Sequence, residues 1–442
     1  MTLEKKLTHT FMTQLETYTP DFEKTFMQVK ASKAIYKGEP VPYLHIPKLY
    51  SEEDVNTFKE ALTHMHDLCK RTIDLYLEEA SVRDLFAFDQ RLDDLIRLPH
   101  HYTVPVPMGR FDIFYYEPKR YMFCELNTDG ASAMNEELEL SKILKETELL
   151  KTLSQDYTFE SFELFHSWVK EVGHIYAEFA TRTGKAPEKP VVAIVDFMEK
   201  GSSIEFEVFK SAFESDGYTC IIADARDIKC VEGRMVVGDI AIDLVYRRLV
   251  TKDLMDHYDD IPDFIRGIFA GKTCIVGSIK TQIVHTKRFF QVLHEPSFQK
   301  YLSEAQIAFI NAHVPFTRPL QEADIPTYCQ EKADYIIKPV DYYASKGVCA
   351  GKDYDDSAWL ALLTEKSSED FIVQKYCPLS LVDNIRKDSK GQFEARVFNT
   401  ITGLFTYNGQ LSGIYVRAGL NAIISGLHEG YTMATLVYRE KA

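Results

Sequence analysis

Residues 110–127 read RFDIFYYEPKRYMFCELN, two apolar and aromatic runs separated by Glu117-Pro118-Lys119-Arg120. Proline presets the backbone of a turn and the flanking runs are rich in strand-forming side chains, so the stretch reads as an antiparallel β-hairpin. With Tyr116 facing Tyr121, Asp112 lies directly across from Glu125 and Arg110 across from Asn127. Side chains alternate with a period of two, which puts these four on one face. The other face carries Phe111, Ile113, Tyr115, Met122, Cys124 and Leu126 and is a core face. Two carboxylates set across a strand pair repel unless a cation lies between them. Hard oxygens from Asp112, Glu125 and Asn127, few enough to leave room for phosphate oxygens, suit a nucleotide-bound magnesium ion. The competing reading is a solvated face on which Arg110 neutralises the acids.

The chain has 442 residues with 45 % hydrophobic content, enough to bury a large core in two or three domains or subdomains. A formal net charge of −15 disfavours nucleic acid or an anionic membrane as the main partner, while a local basic pocket can still hold phosphates. There is no export pattern and no apolar run long enough to span a bilayer, so the expected location is the cytoplasm. Eight cysteines are scattered without a CxxC pair or zinc spacing. The pairs His64/His66 and His100/His101 lack a cysteine or carboxylate at a suggestive spacing, and a zinc site is not expected there.

From Ser51 a capping box with Asp54 opens an amphipathic helix whose apolar positions Val55, Phe58, Leu62, Met65, Cys69, Ile73 and Tyr76 follow the 3.6-residue period. Residues 1–100 read as a helical N-terminal region without a chemical motif. Residues 101–185 hold the acidic hairpin and two helical stretches, EELELSKILKETELLKTL and FESFELFHSWVKEVGHIYAEFA. Within 186–300, PVVAIVDF, YTCIIAD, AIDLVYRR and TCIVGS are short β-branched runs spaced as in a parallel α/β sheet, with no GxGxxG after the first. Residues 301–442 begin with a helix near residue 303, continue with the strands ADYIIKPV and DFIVQKY, and end in a hairpin turned at Asn408-Gly409, a type I′ pair.

In ADYIIKPVDYYASKGVCAG, Lys338 stands near the end of a strand, and a small-residue loop leads to Lys346 and Gly347. A lysine fixed on a strand and a loop with accessible N–H groups supply what a polyphosphate requires. DFIVQKYCP reads as an edge strand ending in Gln374, placed to offer an amide and backbone groups to a purine. It reads equally as a strand leading into a loop.

A strand lysine before a small-residue loop, a Gln-ended strand and an Asp…Glu-x-Asn cluster together resemble ATP-grasp ligases. Here the metal ligands precede the lysines, which resembles the circularly permuted branch and specifically the glutathionylspermidine synthetase-like family. The family's Arg-x-Asp appears as Arg110-Phe111-Asp112, and its Glu-x-Asn, small-residue stretch and glutamate appear as ELNTDGASAMNE, Glu125 to Glu136. The resemblance covers roughly residues 100 to 440. It implies a mixed α/β (α+β), circularly permuted ATP-grasp fold with a helical N-terminal region and a parallel α/β subdomain. It also implies ATP and Mg2+ as cofactors, with Asp112, Glu125 and Asn127 holding the metal. Lys287 and Lys338 would be the two ATP lysines, Lys346 and Gly347 would belong to a lid formed by the loop around residues 341–350, and Gln374, Lys375, Tyr376 and Cys377 would border the adenine. Arg417 would reach back over the phosphates and Ser132 would touch the acyl substrate. Arg247 is the substrate-side candidate on VYRRLV, a segment that looks closer to distant permuted relatives than to polyamine-conjugating enzymes. The amidase domain that precedes some family members has no counterpart in the first hundred residues.

The expected activity is an ATP-dependent carboxylate-amine ligase acting through an acyl phosphate. Its partners would be a small peptide or amino-acid carboxylate and an amine, on a chain compatible with a homodimer. Arg110, beside the metal, would stabilise the tetrahedral oxyanion. The alternatives are the same chemistry on a different natural-product acid, or a nucleotide-binding module without turnover.

Overall fold

The computed structural model describes the chain except residues 37, 186–187, 343–345, 422, 425–429 and 442. The strands Met108–Glu117 and Arg120–Asn127 form the expected hairpin, turned at Pro118 and Lys119, the latter at φ 65°. Asp112 pairs with Glu125 and Arg110 with Asn127. Nearer the turn the register differs from expectation: Tyr121 faces Tyr115 rather than Tyr116, and Phe123 faces Ile113. One extra residue is accommodated at Cys124, and a slip of one residue exchanges the two faces of a strand. Tyr121 and Phe123 are therefore buried beside Phe111, Ile113, Tyr115 and Leu126, whereas Met122 and Cys124 are only half-buried. The bulge is favoured because it trades a thioether and a thiol in the core for two rings, each fully buried ring contributing about 1.5–3 kcal/mol.

The hairpin lies at the side of a larger antiparallel sheet ordered Tyr431–Met433, Gln410–Gly419, Phe393–Tyr407, Met108–Glu117, Arg120–Asn127, with Ser380–Lys387 also paired to Phe393–Tyr407. Asn408 and Gly409, at φ 47° and 78°, form the expected primed turn. The C-terminal hairpin thus joins the acidic hairpin's sheet, not that of the lysine strands with which residues 301–442 were grouped.

The lysine strands form a second antiparallel sheet, ordered Thr317–Pro319, Phe371–Lys375, Tyr335–Pro339, Cys349–Ala350. Phe371–Lys375 is an interior strand, paired on both sides, and not the edge strand its sequence suggested. Its hidden neighbour Thr317–Pro319 is three residues long and ends in proline, too short for a periodic signal. The four β-branched runs form the expected parallel sheet, ordered Cys274–Val276, Leu244–Arg247, Val191–Asp196, Thr219–Asp224. The chain leaves Val191–Asp196 for a neighbour on one side and later returns on the other. Such a reversal is where open α/β sheets generally form their ligand crevice, and here the strand ends at that point carry Asp196 and Arg247.

The first hundred residues are mostly helical, and the helix Glu52–Glu78 starts with the Ser51/Asp54 capping box. They are not wholly so: Lys48–Tyr50 pairs in parallel with Thr435–Glu440, which also pairs with Tyr157–Glu160, whose last two residues were expected to open a helix. Phe58 of the long helix packs edge-on against Tyr115, 4.6 Å between ring centroids, behind the acidic hairpin. Among the described residues no helix is long and apolar enough to cross a membrane.

Candidate functional site

A row of paired residues crosses four strands of the larger sheet: Glu125, Asp112, Gly403 and Tyr415. Arg110, two residues before Asp112, and Arg417, two after Tyr415, project from the same face. Gly403 makes this crowding possible. A Cβ there would stand 2.8 Å from Arg110 Cδ and 2.8 Å from Asp112 Oδ1, so both side chains pass over a position that only glycine can fill.

Asp112 is fully buried. Its Oδ1 accepts from Arg110 Nε at 2.8 Å, and its Oδ2 accepts from Arg110 Nη2 at 3.2 Å, Arg417 Nη2 at 2.7 Å and Asn127 Nδ2 at 3.3 Å. Arg110 donates from Nη1 to the Ser132 carbonyl at 3.0 Å and lies over the Tyr415 ring. Burial opposes its charge, yet Asp112 more than restores it and the guanidinium pKa is raised. Lys287 Nζ stands 3.6 Å from Glu125 Oε2. Burial alone would raise the Glu125 pKa, but Lys287, Arg417, Lys338 and Arg110 together hold it at about 2. Lys338 Nζ donates to Gln374 Oε1 at 2.8 Å and to the bulged Cys124 carbonyl at 3.4 Å. Glu125, Cys124, Lys287, Lys338 and Gln374 line one cleft between the two antiparallel sheets.

The remaining expected residues divide. Gln374 is buried, and its amide is taken by Lys338 and by Thr317 Oγ1, at 2.9 Å, so it fixes an ammonium instead of facing a purine. Lys375 pairs with Asp334 at 3.0 Å, the Tyr376 hydroxyl accepts from Lys352 at 2.6 Å, and burial pushes the Cys377 thiol up to about 11. Lys346 and Gly347 are exposed, Gly347 at φ 72°, in the loop joining the paired strands Tyr335–Pro339 and Cys349–Ala350. Residues 343–345 of the expected lid lie outside the described residues. Lys287 Nζ also donates to the Tyr342 carbonyl at that loop's start, at 2.7 Å. Arg247 has its donors taken by Gly277 O, Leu249 O, Thr251 Oγ1, Asp129 and Ser278 O. That accounts for every N–H of a guanidinium and leaves none for a substrate.

The sequence reading missed how the loop after Asn127 is held. Thr128 donates to Thr281 O at 3.0 Å, and Asp129 accepts from Arg247 and from the Thr251 amide. Ala131 O accepts from Arg248, whose Nη2 pairs with Glu205 at 2.7 Å. Glu205 in turn accepts from the amides of Met134 and Asn135, at 2.9 and 3.3 Å, which open the helix Met134–Leu144. The signal was the Arg247-Arg248 pair at the carboxyl end of a parallel strand, a place where side chains reach other elements.

Of the three expected ligands Glu125 lines the cleft and Asp112 is buried beside it, and among the described residues no group of three or more His, Cys, Asp or Glu gathers as a metal centre. The fit to magnesium is therefore specific. Glu125 is ionised and open to the cleft and, among the described residues, no donor reaches Asn127 Oδ1, whereas Asp112 already accepts four N–H groups. Magnesium is commonly held by one or two protein oxygens together with phosphates, so Glu125 and Asn127 suit it, and Asp112 serves to anchor two guanidinium groups.

No protein-family model and no curated protein matches the chain. Among solved structures, an apo glutathione synthetase-like effector from Globodera pallida superposes with a TM-score of 0.60 at 10 % identity, over 96 % of this chain and 97 % of that one. The chain has the glutathione synthetase-like fold. The mixed α/β architecture expected from the sequence thus has a counterpart over nearly its whole length. An ATP-grasp ligase complexed with a minimal precursor aligns over 56 % of this chain and 89 % of its own, at 13 % identity and TM-score 0.32. D-alanyl-alanine synthetase A from Vibrio cholerae O1 biovar eltor aligns over 56 % and 88 %, at 7 % identity and TM-score 0.27. At such identities the glutathione synthetase-like likeness concerns the fold, and the chemistry rests on the residues.

Proposed function

We propose that the protein is an ATP-dependent carboxylate-amine ligase that forms an amide through an acyl phosphate. The observation that carries this reading is the shared cleft of Glu125, Lys287 and Lys338, with Arg110 and Arg417 at its side. Two lysines and two arginines against Asp112 and Glu125 leave a net positive site, as a triphosphate requires. Magnesium would be held by Glu125 and Asn127 and would supply charge neutralisation to the phosphates.

Lys338, fixed by Gln374 and the Cys124 carbonyl, and Lys287, fixed by the Tyr342 carbonyl and Glu125, hold the phosphate chain without reorganising. Phosphoryl transfer needs little covalent help from the protein, so this positioning and charge are most of the catalysis. A peptide or amino-acid carboxylate attacks the γ-phosphate and ADP leaves. An amine then displaces phosphate from the acyl carbon. Arg110, clamped by Asp112 and Ser132, keeps N–H groups for the tetrahedral oxyanion. Ser132 borders the acyl group, and the loop carrying Lys346 and Gly347 shields the acyl phosphate from water.

Hydroxylamine traps acyl phosphates as hydroxamates, which tests the reading directly. Incubation with ATP, Mg2+ and a panel of amino acids and peptides, glutathione included, is expected to give hydroxamate and ADP in equal amounts. ATP binding with no hydroxamate from any acid would favour a nucleotide-binding module without turnover.

A further inference from the structure

Glu136 is the third residue of the helix Met134–Leu144, which starts two residues after Ser132. Its side chain is buried at 6 % exposure. The three carboxylates around this helix start fare differently. Glu205 is occupied by two amides and Arg248, and Glu137 accepts from Ser141, the Thr435 amide and the Thr435 hydroxyl. Among the described residues Glu136 has only its own amide.

The groups that face Glu136 come from four elements. Arg110 projects from the acidic hairpin, Tyr415 from the strand Gln410–Gly419, Arg248 from the end of the parallel strand and Glu205 from the helix Ser203–Ser215. Both arginines have other carboxylate partners, Arg110 in Asp112 and Arg248 in Glu205, and among the described residues neither forms an ion pair with Glu136. A buried carboxylate without its own cation is costly, and it stands beside the guanidinium assigned to the oxyanion. What would complete it is a small cationic group.

We propose that Glu136 receives the amino group of the amine substrate, accepting a proton from the ammonium and freeing the nitrogen lone pair for attack on the acyl phosphate held at Arg110. The inference rests on the ligase reading. The balance is simple: the ammonium loses one proton to Glu136, the lone pair forms the C–N bond, and the C–O bond to phosphate breaks with its electron pair on phosphate. The second proton leaves nitrogen for that phosphate, and Glu136 returns its proton to solvent. Burial first, and then Glu205, push the Glu136 carboxyl up to about 8 while Arg110 and Arg248 pull it down, which suits a proton acceptor near neutral pH.

The test is thermal protection of the full chain in Mg2+ and a non-hydrolysable ATP analogue, titrated with glycine, 1,4-diaminobutane, spermidine and tetramethylammonium. At least one primary amine is expected to protect the wild type, and tetramethylammonium is not. Glu136→Gln should weaken that amine by at least about thirty-fold, as when one partner of a buried charge pair is removed, and Glu136→Asp should weaken it less. The carboxyl must ionise to pair with an ammonium, so wild-type affinity should rise with pH through about 8 and the Gln variant's should stay flat. Should the Gln variant melt early without ligand, the wild-type pH dependence decides alone. Equal amine affinity in wild type and Glu136→Gln, a flat wild-type profile, or no amine surpassing tetramethylammonium would overturn the proposal. Amine protection that depends on Glu136, in a protein that makes no hydroxamate, would instead sink the ligase reading and leave the amine site standing.

Discussion

The acidic hairpin and the helix start that follows it are both places where carboxylates are buried, yet they are tuned in opposite directions. Glu125, ringed by Lys287, Arg417, Lys338 and Arg110, is held at about 2, while Glu136 and Glu137 rise to about 8 and about 7 and Asp196, at the mouth of the parallel sheet, to about 7. Burial acts upward on all four. What differs is the number of cations gathered around each acid. Glu125 has Arg110 and Arg417 from its own sheet and Lys287 and Lys338 from across the cleft, whereas the helix start offers amides and fewer charges.

The sharpest way to break this contrast is Asp112→Ala, which leaves Arg110 and Arg417 facing each other in a buried site. Urea unfolding should show a loss of about 3–5 kcal/mol, the cost of an unpaired buried charge. An unchanged midpoint would mean that the arginines do not depend on this acid. Next is Arg110→Ala, for which turnover should fall by about 3 kcal/mol in the barrier while nucleotide affinity moves far less. Equal losses in both would place Arg110 in binding instead. Gly403→Ala inserts a methyl under Arg110 and Asp112, and overpacking of this kind costs about 1–3 kcal/mol. Calorimetry should detect it, with weaker protection by Mg·ATP because Arg110 and Asp112 are displaced together.

The smallest effect is the pH dependence of stability, which sharpens the comparison because its two limbs belong to the two regions. Glu125 has a depressed pKa, so its contribution is present above about 4.5 and is lost as pH falls toward 2. Glu136, Glu137 and Asp196 are raised, so their contribution is complete at low pH and is lost as pH rises through 7 to 8. Thermal midpoints should therefore decline on both sides of a maximum near pH 5 for these groups. Glu137→Gln should flatten the alkaline limb by about 1–2 kcal/mol.

Local pattern made the hairpin, the long capped helix, the four parallel strands and the Asn408-Gly409 turn legible, because each is specified by residues close in sequence. It also put Asp112 opposite Glu125. It did not reveal the bulge at Cys124, because alternation alone cannot weigh Tyr121 and Phe123 against Met122 and Cys124 for the core. Nor did it show that Gln374 serves Lys338, since Thr317 hides the amide from a distant, three-residue strand. Gly403 and Tyr415 went unnoticed for a similar reason: their meaning comes from standing in one row with Asp112, and that row is assembled from strands some three hundred residues apart. Arg247 looked like a substrate residue because it ends a parallel strand, and only the packing showed its donors spent on Asp129 and nearby carbonyls.

The strand Lys48–Tyr50 finds its hydrogen-bonding partner in Thr435–Glu440, and Arg439 bonds Glu52 across 387 positions of chain. Leu49 and Tyr50 therefore find their strand partner only when Thr435–Glu440 docks, and closure between segments so far apart in sequence is expected to slow folding.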